Sequence, residues 1–331
     1  MGKPFLTIGI ASYNYANYLP KAFEQIKKQQ FKDYEILYCD DGSTDDSVAV
    51  IENLIRSNPQ MQIRLIRGEN EGLLANRNRI IENARGKYLL ICDADDYMAE
   101  DCLEKLCDAA QEQNADCVIG GFAEVNEEGK EYKVHIPGEK ANKWIYIWHH
   151  AQIYSMEIVR KHMLRFESIP DDVCFIQRIH QYSEKTVFVS EKLYYWLRHS
   201  DSTSRDIGRN SDWHPVSLWK HIVECMAEIY NVIGDAEKVS IQYFLYKWFY
   251  FNITDLPVHD KAELRTDIKV MQEEMRKVCS KYRRFDYLIQ VLMQNDTLFA
   301  KVAILLCWIL EGIRCVKWLP HIRSGQWKIR G

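Results

Sequence analysis

This chain has little with which to grip a nucleic acid, cross a bilayer or staple itself together. Its 43 Lys and Arg are outnumbered by 47 Asp and Glu, for a formal net charge of −4. Binding a phosphate backbone requires a surplus of cations on one face, so this balance argues against a nucleic-acid partner, although phosphates could still bind through a metal. Nowhere do about 18 consecutive apolar residues occur, the length that a membrane-spanning helix needs. Met-Gly-Lys-Pro runs straight into a strand-like segment without the long apolar core of a signal peptide. The ten cysteines include no Cys-x-x-Cys pair. Cys39, Cys92 and Cys117 lie within apolar strand-like runs, where Cys acts as a small hydrophobe, so a reducing, cytoplasmic setting is expected. The first turn from strand to helix, Ala11-Ser-Tyr-Asn14, has no glycine. A dinucleotide-binding Rossmann unit needs glycine there for the backbone to approach a pyrophosphate, so any nucleotide is held differently.

What the chain does have is an apolar content of 47% over 331 residues, enough for one large core or two. The organising stretch is Lys87-Tyr-Leu-Leu-Ile-Cys-Asp-Ala-Asp-Asp96. Tyr88 to Cys92 reads as a strand buried on both faces, and it ends in three carboxylates. Open α/β sheets bind ligands at the C-terminal ends of their strands. Three crowded carboxylates favour a divalent ion among them, with Asp93 and Asp95 turned toward it and Asp96 free to cap the next helix. The plainer alternative is that all three acids only make a turn and cap that helix.

Strand-like and helical segments alternate through the first third. Strands are expected at Phe5 to Ala11, Tyr34 to Cys39, Ile63 to Arg67, Tyr88 to Cys92 and Asp116 to Gly120. Helices are expected after Pro20, around Val48 to Ile55, at Leu73 to Ala84 and at Glu100 to Gln113. This spacing predicts a mostly parallel sheet covered by helices. From about Trp213 the pattern turns helical and rich in aromatics. Leu298 to Leu310 is apolar apart from Lys301, and the segment after Glu311 carries Arg314, Lys317, Arg323, Lys328 and Arg330 beside Trp318 and Trp327. That reads either as an anchor at a membrane surface or as a docked helix with a solvated tail.

Four segments together resemble glycosyltransferase family 2: Thr-Ile-Gly-Ile-Ala-Ser-Tyr-Asn14, Glu35-Ile-Leu-Tyr-Cys-Asp-Asp-Gly-Ser-Thr-Asp45, Asn70-Glu-Gly-Leu-Leu-Ala-Asn-Arg-Asn78 and Asp93-Ala-Asp-Asp96. The resemblance covers roughly residues 4 to 205 and implies a GT-A fold, a Rossmann-like α/β architecture. On it, residues 1–210 form the catalytic domain, with a nucleotide-sugar half to about 120 and an acceptor half from about 121. Residues 211–331 form a helical C-terminal extension. The implied reaction is inverting transfer of a sugar from a UDP-sugar to an acceptor hydroxyl on a glycan or lipid-linked saccharide, of the bacterial capsule or lipopolysaccharide type. The implied place is cytoplasmic, on the inner face of the membrane.

The resemblance also implies roles. Asp41 accepts a hydrogen bond from the uracil ring, Tyr13 covers the base, and Ala11 and Ser12 lie along it. Arg77 approaches the base or the diphosphate. Asp95 coordinates Mg²⁺ or Mn²⁺, with Asp93 at the ribose or the metal's outer shell. Ile169-Pro-Asp-Asp-Val-Cys-Phe-Ile-Gln-Arg178 is similar to the family's acidic pair and makes Asp172 the base, although the first acid, usually Glu, is Asp171 here. Tyr194-Tyr-Trp-Leu-Arg-His-Ser-Asp-Ser-Thr-Ser204 is similar to the segment that closes the domain, in which Arg198 offsets leaving-group charge and His199 binds the metal or a phosphate. The Gln-x-x-Arg-Trp of processive polymerases is absent, which points to addition of one sugar at a time. Trp144 to Tyr154, with His149 and His150, falls on the acceptor side and carries no assigned role. Two other readings remain: a nucleotide-sugar-binding protein without turnover, and a receiver-type phosphoacceptor module. The second is disfavoured because Asp40 and Asp41 follow the second strand rather than the first.

Overall fold

In a computed structural model, the described residues are 2–139, 141–167, 171–199 and 215–234, with scattered helical positions from 237 to 278. The chain divides into two compact units, Met1–Ser202 and Thr203–Gly331.

The first unit is built on one sheet. Strands β1 (Leu6–Ser12), β2 (Tyr34–Asp40), β3 (Gln62–Arg67) and β4 (Tyr88–Asp93) run parallel in the order β3-β2-β1-β4. Helices α1 (Leu19–Lys28), α2 (Ser47–Ser57) and α3 (Leu73–Asn83) make the crossovers. Alternate side chains of these strands enter different cores. Leu6, Ile8, Ile10, Ile36, Tyr38 and Leu90 join one, whereas Leu37, Cys39, Leu89 and Ile91 join the other. That is why β4 is apolar on both faces, as a strand covered by helices on each side must be. Full burial of each such aliphatic side chain stabilises the fold by about 1.5–3 kcal/mol.

Beyond β4 the sheet becomes mixed. A two-residue strand β5 (Tyr97–Met98) leads to α4 (Cys102–Gln113), followed by β6 (Cys117–Val125), β7 (Glu131–His135), a 3-10 turn at Lys143–Ile145, β8 (Gln152–Ser155), α5 (Met156–Lys161), α6 (Asp171–Tyr182) and β9 (Thr186–Leu197). The full order is β3-β2-β1-β4-β8-β6-β9-β5, with β7 also on β6. The parallel pattern expected from the first four strands therefore holds there but not after them. β8 lies antiparallel to both β4 and β6, and among the described residues only the β6-β9 pair is parallel in the second half. The β6-β7 hairpin is closed by a short turn in which Gly129 takes φ 79°, so no crossover helix is needed.

In the second unit, α7 (Pro215–Val232) buries Trp219, Ile222, Val223, Met226 and Ile229 along one face. Trp219 Nε1 donates to the carbonyl of Met271 at 2.8 Å. Among the described residues, no helix is long and apolar enough to cross a membrane. The apolar segment Leu298 to Leu310 and the basic tail lie outside the described residues.

Candidate active site

The C-terminal ends of β1, β2 and β4 form one edge. At β2, Asp40 accepts from the amide and hydroxyl of Ser43, at 3.0 and 2.5 Å. Gly42 comes next at φ 73°, a conformation that L side chains rarely adopt, and a Cβ there would meet the Asn70 amide nitrogen at 2.9 Å. Asp41, only 3% exposed, accepts from the backbone amides of Glu71 (3.1 Å) and Gly72 (2.8 Å). These bonds clip the second motif to the third at the entrance to α3. Arg79 Nη1 also lies 3.6 Å from Oδ1, so Oδ2, with a lone pair left, is the oxygen that can accept from a ligand. At β1, Ala11 and Ser12 are buried, Ser12 Oγ is buried without a hydrogen-bond partner, and Tyr13 is 42% exposed at the rim.

At the end of β4 a buried network joins acids from distant parts of the chain. Arg77, on α3, donates through Nη2 to Asp93 (3.0 Å) and through Nη1 to Asp172 of α6 (2.5 Å). His149 sits against the same two acids, with Nδ1 2.9 Å from Asp172 Oδ2 and Nε2 3.3 Å from Asp93 Oδ2. Burial works against charge on both acids, yet His149 and Arg77 hold their carboxyls well below the usual carboxylate range. Burial alone would lower the His149 pKa, but Asp172 and then Asp93 raise it to about 10. The four groups form two opposed charge pairs. Asp172 is thus a formed carboxylate with its lone pairs partly engaged.

Asp95 and His199 meet separately, with His199 Nε2 2.7 Å from Asp95 Oδ2 and its Nδ1 3.3 Å from the Tyr18 hydroxyl. Burial, and then the neighbouring charge of Asp93, raise the Asp95 pKa. This is the environment that a bound cation would relieve. Arg198 points elsewhere in this structure: its guanidinium donates to Glu124 at 2.5 Å and lies over Trp196.

Asp96 does not cap the next helix. Asp101 occupies the N-cap position of α4, while Asp96 accepts from the Tyr194 hydroxyl (2.8 Å) and the Leu197 amide (2.7 Å), tying β9 to the end of β4. Burial, followed by Asp95 and Asp93, pushes its carboxyl well above the usual range.

Sequence reasoning left His149 and His150 without a role, yet both are buried at the network. Their one signal in the sequence is a polar doublet within the largely apolar run Trp144 to Tyr154. Its partner Asp93 is distant in sequence and comes alongside only because β8 inserts next to β4. Asp93, His149 and His150 each offer a ligand atom, all within 4.8 Å of one another.

The family described as Glycosyl transferase family 2 matches residues 7–198. Over 251 residues the chain is 28% identical to Glycosyltransferase GlyA of Streptococcus pneumoniae, covering 70% of this chain and 35% of GlyA. The chain thus spans about a third of that relative's length. Over 221 residues it is 26% identical to Glycosyltransferase GlyG of the same organism, covering 60% of this chain and 73% of GlyG. Among solved structures it is similar to residues 1–349 of S. aureus TarS in complex with UDP-GlcNAc, with a TM-score of 0.69 at 16% identity, covering 97% of this chain and 92% of that one. At that identity the likeness is one of fold, the GT-A fold. With a family match that takes in the whole edge from Ser12 to Arg198, this chain belongs to glycosyl transferase family 2.

Proposed function

We propose that this chain is an inverting glycosyltransferase that moves a sugar from a UDP-sugar to an acceptor hydroxyl on a polysaccharide or lipid-linked glycan. The observation that carries the reading is the meeting of Asp93, Arg77 and Asp172. Arg77 and Asp172, 95 residues apart in sequence, are in direct hydrogen-bond contact at the strand edge where α/β folds take their ligands. That TarS is described in complex with UDP-GlcNAc supports a UDP-sugar donor. The chain is also 33% identical over 128 residues to a chondroitin synthase of Pasteurella multocida, 13% of that protein's length, which supports a polysaccharide acceptor.

In this reading the uracil lies against Ala11 and Ser12 beneath Tyr13 and donates its imide N–H to Asp41. Asp95 and His199 hold a divalent cation, Mg²⁺ or Mn²⁺. Their donors fit it: one buried carboxylate and one buried imidazole already face each other, and the diphosphate supplies further oxygens. When bound, the ion neutralises charge that develops on the UDP leaving group. Asp93 reaches the ribose, and Arg77 and Arg198 turn toward the diphosphate. Asp172 takes the proton of the acceptor hydroxyl as its oxygen attacks the anomeric carbon from the face opposite the breaking bond. Residues to about 120 serve the donor, and those from about 121 serve the acceptor. The enzyme adds one sugar at a time, on the inner face of the cytoplasmic membrane.

Assaying UDP release across UDP-sugars and glycan acceptors tests this. Asp172→Asn is expected to lower transfer by a factor of about 10²–10⁴, the usual worth of a positioned base, while UDP binding persists. A wild type that binds UDP but transfers to no acceptor would instead favour binding without turnover.

A further inference from the structure

We infer that His149, His150 and Asp93 form a second metal site, distinct from Asp95 and His199, that takes a borderline divalent transition metal such as Zn²⁺ or Co²⁺. Two imidazoles and one carboxylate are a donor set for such ions, whereas Mg²⁺ and Ca²⁺ prefer oxygen alone. Their geometry is close to that of a loaded site. The 3.3 Å between His149 Nε2 and Asp93 Oδ2 equals the edge of a tetrahedron with metal-ligand bonds of about 2.0–2.1 Å. His150 Nε2, 4.0 Å from the same oxygen, needs to close by less than an ångström.

Four further observations point the same way. Both ring nitrogens of His150 are buried without a hydrogen-bond partner, a cost to the fold unless something binds them, and His149 Nε2 has only its 3.3 Å ion pair with Asp93. Asp172 beside His149 Nδ1 is the outer carboxylate that commonly orients a metal-bound imidazole, and a metal at Nε2 would displace the proton that the imidazolium turns toward Asp93 while Asp172 keeps the one on Nδ1. The His150 ring is held by Trp196, Tyr194 and Phe122, with centroids 5.1, 5.2 and 5.0 Å away. The next residue, Ala151, is buried at φ 52°, strain that is kept where the backbone must aim a neighbour. An imidazolium His149 bridging the two acids would explain His149, but it leaves His150 with no hydrogen bond at either ring nitrogen and with Asp96 and Asp93 oxygens only at 3.7 and 4.0 Å from its Nε2.

Occupancy would engage Asp93 directly and Asp172 through His149. On the function proposed above, Zn²⁺ would then oppose sugar transfer while Mg²⁺ or Mn²⁺ supports it. The test titrates Co²⁺ into the metal-stripped full chain without nucleotide and tracks the visible d–d absorption of low-coordinate cobalt, then its displacement by Zn²⁺. Expected are one equivalent bound by wild type and by Asp95→Asn, and at least tenfold weaker binding by His150→Phe and by His149→Gln. Melting curves and the UDP-induced shift in melting temperature show that each variant is folded, and they report on the donor site independently of the metal. No cobalt absorption in wild type would overturn the proposal. So would absorption lost in Asp95→Asn and kept in both folded His variants, which would place the metal on the Asp95 and His199 pair.

Discussion

Arg77 is the residue on which two acids from opposite halves of the first unit depend. It is 4% exposed, and the Asp93 and Asp172 side chains are 28% and 20% exposed. Replacing it with Met leaves two partly buried carboxylates facing each other, and a loss of roughly 3 kcal/mol in urea unfolding is expected. Arg77→Lys should recover only part of this, because an ammonium cannot present two parallel N–H groups to two acceptors. The placing of Asp93 and Asp95 at the end of β4 was legible in the sequence because an apolar strand-like run leads straight into them. His149 and His150 were not, because their meaning comes from a tertiary neighbour. Asp96 misled for the same reason: three acids before a helix suggest capping, but a Tyr194 hydroxyl and a Leu197 amide arriving from β9 outcompete the local helix.

Among the elements, the four parallel strands and their crossover helices were readable from alternation alone, since a strand covered on both faces must be apolar throughout. The mixed half was not. β7 is exposed along most of its length and so shows no apolar signature, and β8 has four residues, too short for a period to emerge. It is nevertheless β8 that carries the histidine doublet to Asp93. The turn after β2 offers the clearest test at this scale. Gly42→Ala is expected to cost about 1–2 kcal/mol, from the strain of φ 73° together with contact against the Asn70 amide. It should also weaken UDP binding by displacing Asp41, whereas an Ala substitution at exposed Gly2, with open space around its Cβ, should change neither. Calorimetric titration with UDP separates the two outcomes.

At the scale of the whole molecule, acid stability should carry the mark of His180. It is fully buried, and burial, with Lys143 adding to it, lowers its pKa to about 3. The unfolded chain takes up that proton near the ordinary value of 6.5, so the native state binds fewer protons between the two values and stability falls as pH is lowered through that window. One such histidine costs about 1.4 kcal/mol per pH unit. His180→Gln should therefore flatten the decline in unfolding free energy between pH 6.5 and 4.5, where most carboxylates are still ionised; an unchanged slope would show that His180 does not remain neutral. The basic, tryptophan-bearing tail that suggested a membrane surface lies beyond the described residues. The central claim, a uridine-nucleotide donor site served by a cation on Asp95 and His199, is tested most directly by the melting temperature of the full chain with UDP, GDP or CMP, each with and without Mn²⁺, beside Asp95→Asn. Ligand at a hundredfold excess over Kd adds about 2.7 kcal/mol, a shift of several degrees for a domain of this size. The account predicts that shift for UDP with Mn²⁺, smaller shifts for GDP and CMP, and its loss in the variant. Equal melting temperatures with all three nucleotides, or a UDP shift indifferent to both Mn²⁺ and Asp95, would contradict it.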